Sequence, residues 1–76
     1  MTYEQALQVF SVKHKLDGYY LNQTLSLTPA EVGMLDNIAN ANGYGRTNWW
    51  CGSCAVGRLQ EMVSTAMDVK TKHDVG

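Results

Sequence analysis

A chain of 76 residues is one small domain, spanning 1–76, that buries only about 60–65% of the surface its unfolded form exposes. Hydrophobic residues at 45% and charged residues at 17% make a folded composition, and four Met, four Tyr and two Trp predict some apolar surface covered by a partner. Six basic and seven acidic residues, net charge −1, lack the clustered basic face of a nucleic-acid binder, and no apolar run approaches the roughly 20 residues of a membrane span.

The first helix is predicted over about 3–16. Thr2-Tyr3-Glu4-Gln5 fits a capping box, in which the Thr2 hydroxyl accepts from the Gln5 N–H and the Gln5 side chain reaches back. Tyr3, Leu7, Phe10 and His14 share one face, with Ala6 and Val9 beside it, and Asp17-Gly18 is the expected stop. Residues 17–27 are expected to form an irregular connection, held on the core by tyrosines and leucines. A lone strand there would have no pairing partner elsewhere in the chain.

The second helix, about 29–42, has the clearest start. In "LTPAEV", Thr28 is the N-cap, Pro29 takes the first helical position and Glu31 closes a capping box. Leu27 and Val32 are placed as a hydrophobic staple, and Gly43 is the expected stop. After the loop "NGYGRTN", a third helix over about 49–70 is capped by Thr47 or Asn48. Cys51, Ala55, Leu59, Met62, Ala66 and Val69 form its apolar stripe, broadened by Trp50, Cys54 and Val63. The tail "KTKHDVG" is polar and expected to fray. The fold class is therefore all-α, a compact bundle of three helices.

Chemistry concentrates at "NWWCGSC", residues 48–54. Trp50-Cys51-Gly52-Ser53-Cys54 resembles the WCGxC active site of thioredoxins and protein disulfide isomerases, and a thiol at a helix N-terminus is activated by the dipole. That fold needs a strand before the motif, further strands after it and a cis-proline downstream. Here a Gly-rich loop precedes, one helix follows, and the single proline, Pro29, starts a helix upstream. A zinc site would take Cys51 and Cys54 as half of its ligands, with His73 as a third. The plainer expectation is packing: free cysteines are small apolar groups, and both fit the first buried turn of the third helix.

Other chemistry is weaker still. His14 is expected as a partly buried, hydrogen-bonded histidine; no triad or paired-carboxylate spacing is present, and "GYG" is not a phosphate loop. The loop between the second and third helices is longer than a helix-turn-helix allows. The N-terminus "MTYEQALQVF" lacks signal-peptide features, so a cytoplasmic setting with reduced thiols is expected and the sequon at Asn22 is a chance match.

Adjacent tryptophans point about 100° apart on a helix, so one of Trp49 and Trp50 anchors the core and the other is left at the surface. The expected partner-binding surface is Tyr44, Arg46 and Trp49. The order of "LTPAEVGMLDNIANANGYG", a short loop and "CGSC" opening an amphipathic last helix, over residues 27–67, resembles small helical accessory proteins of tailed bacteriophages. The tryptophan pair departs from that pattern. The resemblance implies a phage-encoded protein acting on a host protein or built into the virion, in the host cytoplasm or the particle. The expectation is thus a non-enzymatic protein-interaction module without cofactor, with self-association left open; the alternative is a small Cys-x-x-Cys protein binding zinc or exchanging disulfides.

Overall fold

The structure, a computed structural model, describes residues 1–75. Four helical segments follow in order: α1 (Tyr3–Ser11), α2 (Lys13–Asn22), α3 (Pro29–Ala41) and α4 (Gly52–Val75). Only Val12 separates α1 from α2, so the two make one interrupted arm, and the chain is the all-α bundle of three helical rods that its periodicity predicts.

Both predicted capping boxes form. Thr2 Oγ1 accepts from Gln5 N–H at 3.1 Å while Gln5 Oε1 accepts from Thr2 N–H at 3.0 Å. Thr28 and Glu31 repeat the exchange at 3.2 and 2.8 Å, with Pro29 at the helix start. Each box also ties two rods together. Gln5 Oε1 accepts a further bond from Asn42 Nδ2 at 3.3 Å, joining the end of α3 to the start of α1. Glu31 Oε1 pairs with Lys15 Nζ at 3.2 Å, and the same ammonium donates to the Ser26 carbonyl at 2.8 Å. The Thr28 N–H and Lys15 together hold the Glu31 carboxyl below the usual carboxylate range, the backbone N–H contributing most.

The predicted stop of the second helix is also present. Gly43 adopts φ 76°, its N–H donates to the Asn40 carbonyl at 3.3 Å, and Tyr44 N–H donates to the Ala39 carbonyl at 3.0 Å. These two bonds are the Schellman pattern, which only a left-handed residue after the cap allows.

The first rod runs past its expected end. Gly18 is helical, and the rod closes instead at Gln23, in the left-handed conformation at φ 58°, whose N–H donates to the Tyr19 carbonyl. Glycine in a helix costs about 1 kcal/mol relative to alanine. Burial of Leu16 and packing of Tyr19 on the core offset it. The irregular connection therefore shrinks to residues 23–28, and Leu21, expected on the packed side, is 83% exposed. The inward stripe is Ala6, Val9, Val12 and Leu16, while Leu7 and His14, expected on the buried face, are exposed. The hydrogen bonds from Val12 N–H to Val9 and from Lys15 N–H to Val12 span three residues rather than four. This tight turn resets the phase of the stripe between α1 and α2.

Helix α4 starts later and ends later than its periodicity predicts, at Gly52 rather than 49 and at Val75 rather than 70. Its last turns are secured by Tyr3, whose ring stacks on His73 at 3.8 Å between centroids. Lys70 Nζ lies 5.9 Å from the Phe10 ring centroid, and Gln60 Nε2 donates to the Tyr20 hydroxyl. These pairs set an antiparallel register between the first rod and α4 along the whole first rod. The predicted α4 stripe is the centre of the core from Ala55 to Ala66: Ala55, Leu59, Met62 and Ala66 are fully buried, with Val56 and Val63 beside them. Leu35, Ile38 and Ala39 of α3 add to it, and among the described residues no polar side chain is buried.

Thr28→Ala should lower unfolding free energy by about 1 kcal/mol in urea titration, the usual worth of an N-cap. Glu31 has a depressed carboxyl, so its contribution is full above the ordinary carboxylate range and fades as pH falls through the lowered value. Glu31→Gln should therefore be less stable than the parent at pH 7, with the gap closing in thermal melts taken below pH 4.

Candidate functional site

The chain turns sharply before α4. The Asn48 carbonyl accepts from Cys51 N–H at 3.1 Å, and Asn48 Oδ1 accepts from Trp50 N–H at 3.1 Å. Asn48 thus caps a turn rather than the helix itself, as a short amide side chain readily does. Trp49 and Trp50 lie inside this turn and leave it in different directions. Trp49 is 6% exposed, packs in the core and donates its indole N–H to Asp36 Oδ1 on α3 at 3.3 Å. Trp50 is 71% exposed.

This reverses the expected roles. Trp49, predicted at the partner-binding surface, is a core anchor, and Trp50, predicted on the buried stripe, stands in solvent. The physical reason is that helical spacing does not apply to either residue, because α4 begins only at Gly52. Tyr44 is a second anchor rather than a free contact. It is half-buried, its hydroxyl lies 2.7 Å from Thr65 Oγ1, and its ring carries the Arg58 guanidinium at 5.1 Å. Arg58 in turn donates from Nε to Thr47 Oγ1 at 2.9 Å and pairs with Glu61 at 3.0 Å. Thr47, expected as a possible cap, instead receives this latch. Of Tyr44, Arg46 and Trp49, only Arg46 is exposed.

Trp50 borders a cleft of about 260 Å³ lined by Leu25, Ser26, Leu27, Trp49, Trp50 and Gly52. Its far wall is the non-helical segment 24–28. Among the described residues, the N–H groups of Leu25, Ser26 and Leu27 make no backbone pairing within the chain. Leu25 and Leu27 are held against the core from below. The signal for this wall was present in the sequence as alternating leucines, but nothing local placed it beside the tryptophans.

The two cysteines are free and lie at the surface, Cys54 exposed and Cys51 partly so. Their expected place in the buried first turn is overturned because the inward face of α4 begins at Ala55 and Val56. Cys51 sits just before the helix, its carbonyl accepting from Ala55 N–H at 2.8 Å and its Sγ lying 3.6 Å from Ser53 Oγ. Hydrogen bonds from the Cys54 thiol, the Cys54 N–H and Ser53 lower the Cys51 thiol to about 7. The same contact with Cys51 raises the Cys54 thiol.

The zinc alternative does not assemble within one chain. His73 lies 22 residues along α4 from Cys51, about 33 Å at 1.5 Å per residue, and is stacked on Tyr3. Among the described residues no three metal-ligating side chains gather. No described helix is long and apolar enough to cross a membrane. A second apolar groove runs between the first rod and α4, where Leu16 and Val63 floor an opening flanked by the exposed Tyr20 and Met67.

Trp49→Ala should cost about 3–5 kcal/mol, as for other buried aromatic truncations, and leave little residual fold in a domain of this size. Trp50→Ala should change stability by less than about 0.5 kcal/mol, the usual range at the surface. Circular dichroism melts of the two variants compare them directly. Comparison with known protein families, curated proteins and solved structures finds no match to this chain.

Proposed function

We propose that this chain is a non-enzymatic protein-interaction module whose contact surface is centred on Trp50. The observation that carries this reading is the exposure of one of the chain's two tryptophans, held out of the core by the Asn48 turn at the mouth of the Leu25–Leu27 cleft. In a domain whose core is small, an exposed tryptophan is a costly feature unless something covers it. Tryptophan is also the residue most enriched at binding hot spots.

The fitting partner is a protein segment that lays an apolar side chain against Trp50 and offers backbone carbonyls to the N–H groups of residues 25–27. The net charge of −1 gives no support to a nucleic-acid partner. The phage-like order of residues 27–67 motivates a host protein or another virion protein as that partner, and the host cytoplasm or the particle as its location. The expected docking set changes from Tyr44, Arg46 and Trp49 to Trp50, Leu25 and Leu27.

The test uses the full chain as bait for candidate host and virion proteins, followed by direct titration of any protein captured. Trp50→Ala should weaken that binding by about 2 kcal/mol or more, roughly 30-fold in Kd, while melting with the parent. Equal affinity of the two forms would remove Trp50 from the interface and with it this reading.

A further inference from the structure

Two nucleophiles remain that the docking reading does not use. Cys51 and Cys54 are three residues apart at the start of a 24-residue helix, and both are reachable from solvent. We infer that Cys51 and Cys54 form a reversible dithiol–disulfide site, with Cys51 attacking an external disulfide and Cys54 resolving the product. This does not rest on the proposed partner.

The geometry assigns the roles. Cys51 precedes the first helical residue, where the helix N-terminus favours an anion, and its Sγ lies 3.6 Å from Ser53 Oγ. Its thiol, lowered to about 7, is about half ionised at neutral pH, whereas that of Cys54 is raised and stays protonated. Such an asymmetric pair has one attacking and one resolving sulfur. Residues three apart on a helix hold their Cβ atoms about 5–6 Å apart, and a disulfide needs roughly 3.5–4.5 Å. Closing the gap requires only the first turn to yield. Cys51 is not itself helical, and nothing stands over Gly52 within 4 Å of where a Cβ would be.

The exchange balances without any further reagent. The Cys51 thiolate attacks one sulfur of a small disulfide, R–S–S–R, breaking that bond and releasing one R–S⁻. Cys54 loses its proton to solvent and attacks the Cys51 sulfur of the mixed disulfide, releasing the second R–S⁻. Two protein thiols are oxidised to one disulfide, and the external disulfide is reduced to two thiols, which take up the two protons lost by Cys51 and Cys54.

Oxidised glutathione serves as the probe, with products followed by intact mass at pH 7 and folding of each variant checked by circular dichroism. The parent should end lacking the two thiol hydrogens and carrying no adduct. Cys54→Ser should stop as a stable glutathione adduct on Cys51. In the parent, Cys51 should be alkylated by iodoacetamide roughly five-fold faster than Cys54 at pH 7, after allowing for the lower intrinsic nucleophilicity of a more acidic thiol. Its rate should rise with pH to a midpoint of about 7. Three results would each overturn the inference: stable adducts on both cysteines of the parent, disulfide-linked dimers as the main product, or one zinc ion per two chains that blocks alkylation until a chelator removes it.

Discussion

A helix of 24 residues with a single apolar stripe must be covered along most of its length, and this requirement organises the whole chain. Ala55, Leu59, Met62 and Ala66 lie fully buried along α4. The first rod supplies the cover by running antiparallel to it, with Ala6, Val9, Val12 and Leu16 buried on its inward face. Because the first rod has to match α4 in length, Gly18 stays helical and the rod extends to Asn22. The stacking of Tyr3 on His73 then keeps the polar end of α4 helical where its own sequence would fray.

With so small a core, the polar groups at the helix ends carry more than local duty. Gln5 and Glu31 each satisfy a helix start and also accept from a neighbouring rod, through Asn42 and Lys15. A side chain already fixed by its own capping box loses little further freedom in making the second contact. The Tyr44–Thr65 and Thr47–Arg58 contacts do the same for the loop between α3 and α4. They, and the Trp49 bond to Asp36, fix the direction in which the chain enters its last helix.

The proposed contact surface follows from that entry. Once Trp49 is drawn inward, the Asn48 turn places Trp50 outside, and the inward face of α4 begins only after the cysteines. Exposed aromatic, cleft and dithiol are thus neighbours through one turn, although the docking proposal and the thiol proposal stand on separate observations. Thiol chemistry of this kind does not require the thioredoxin fold: a helix start, a second sulfur one turn on and access to solvent suffice for the exchange steps.

The strongest local signals were legible. Thr2 and Thr28 with their capping partners, Pro29, the Gly43 stop and the α4 stripe all depend on residues within one or two helical turns, so the sequence alone determined them and with them the all-α class. What it left undetermined was everything set by packing at a distance. The phase of the first rod changed at Val12, and the end of that rod moved past Gly18, because α4 had to be covered. Most consequentially, periodicity put Trp50 on the buried stripe and Trp49 at the surface, and the structure holds them the other way round. That choice belongs to the tertiary structure, where Asp36 on another helix receives the Trp49 indole and Leu25 and Leu27 close the cleft beside Trp50.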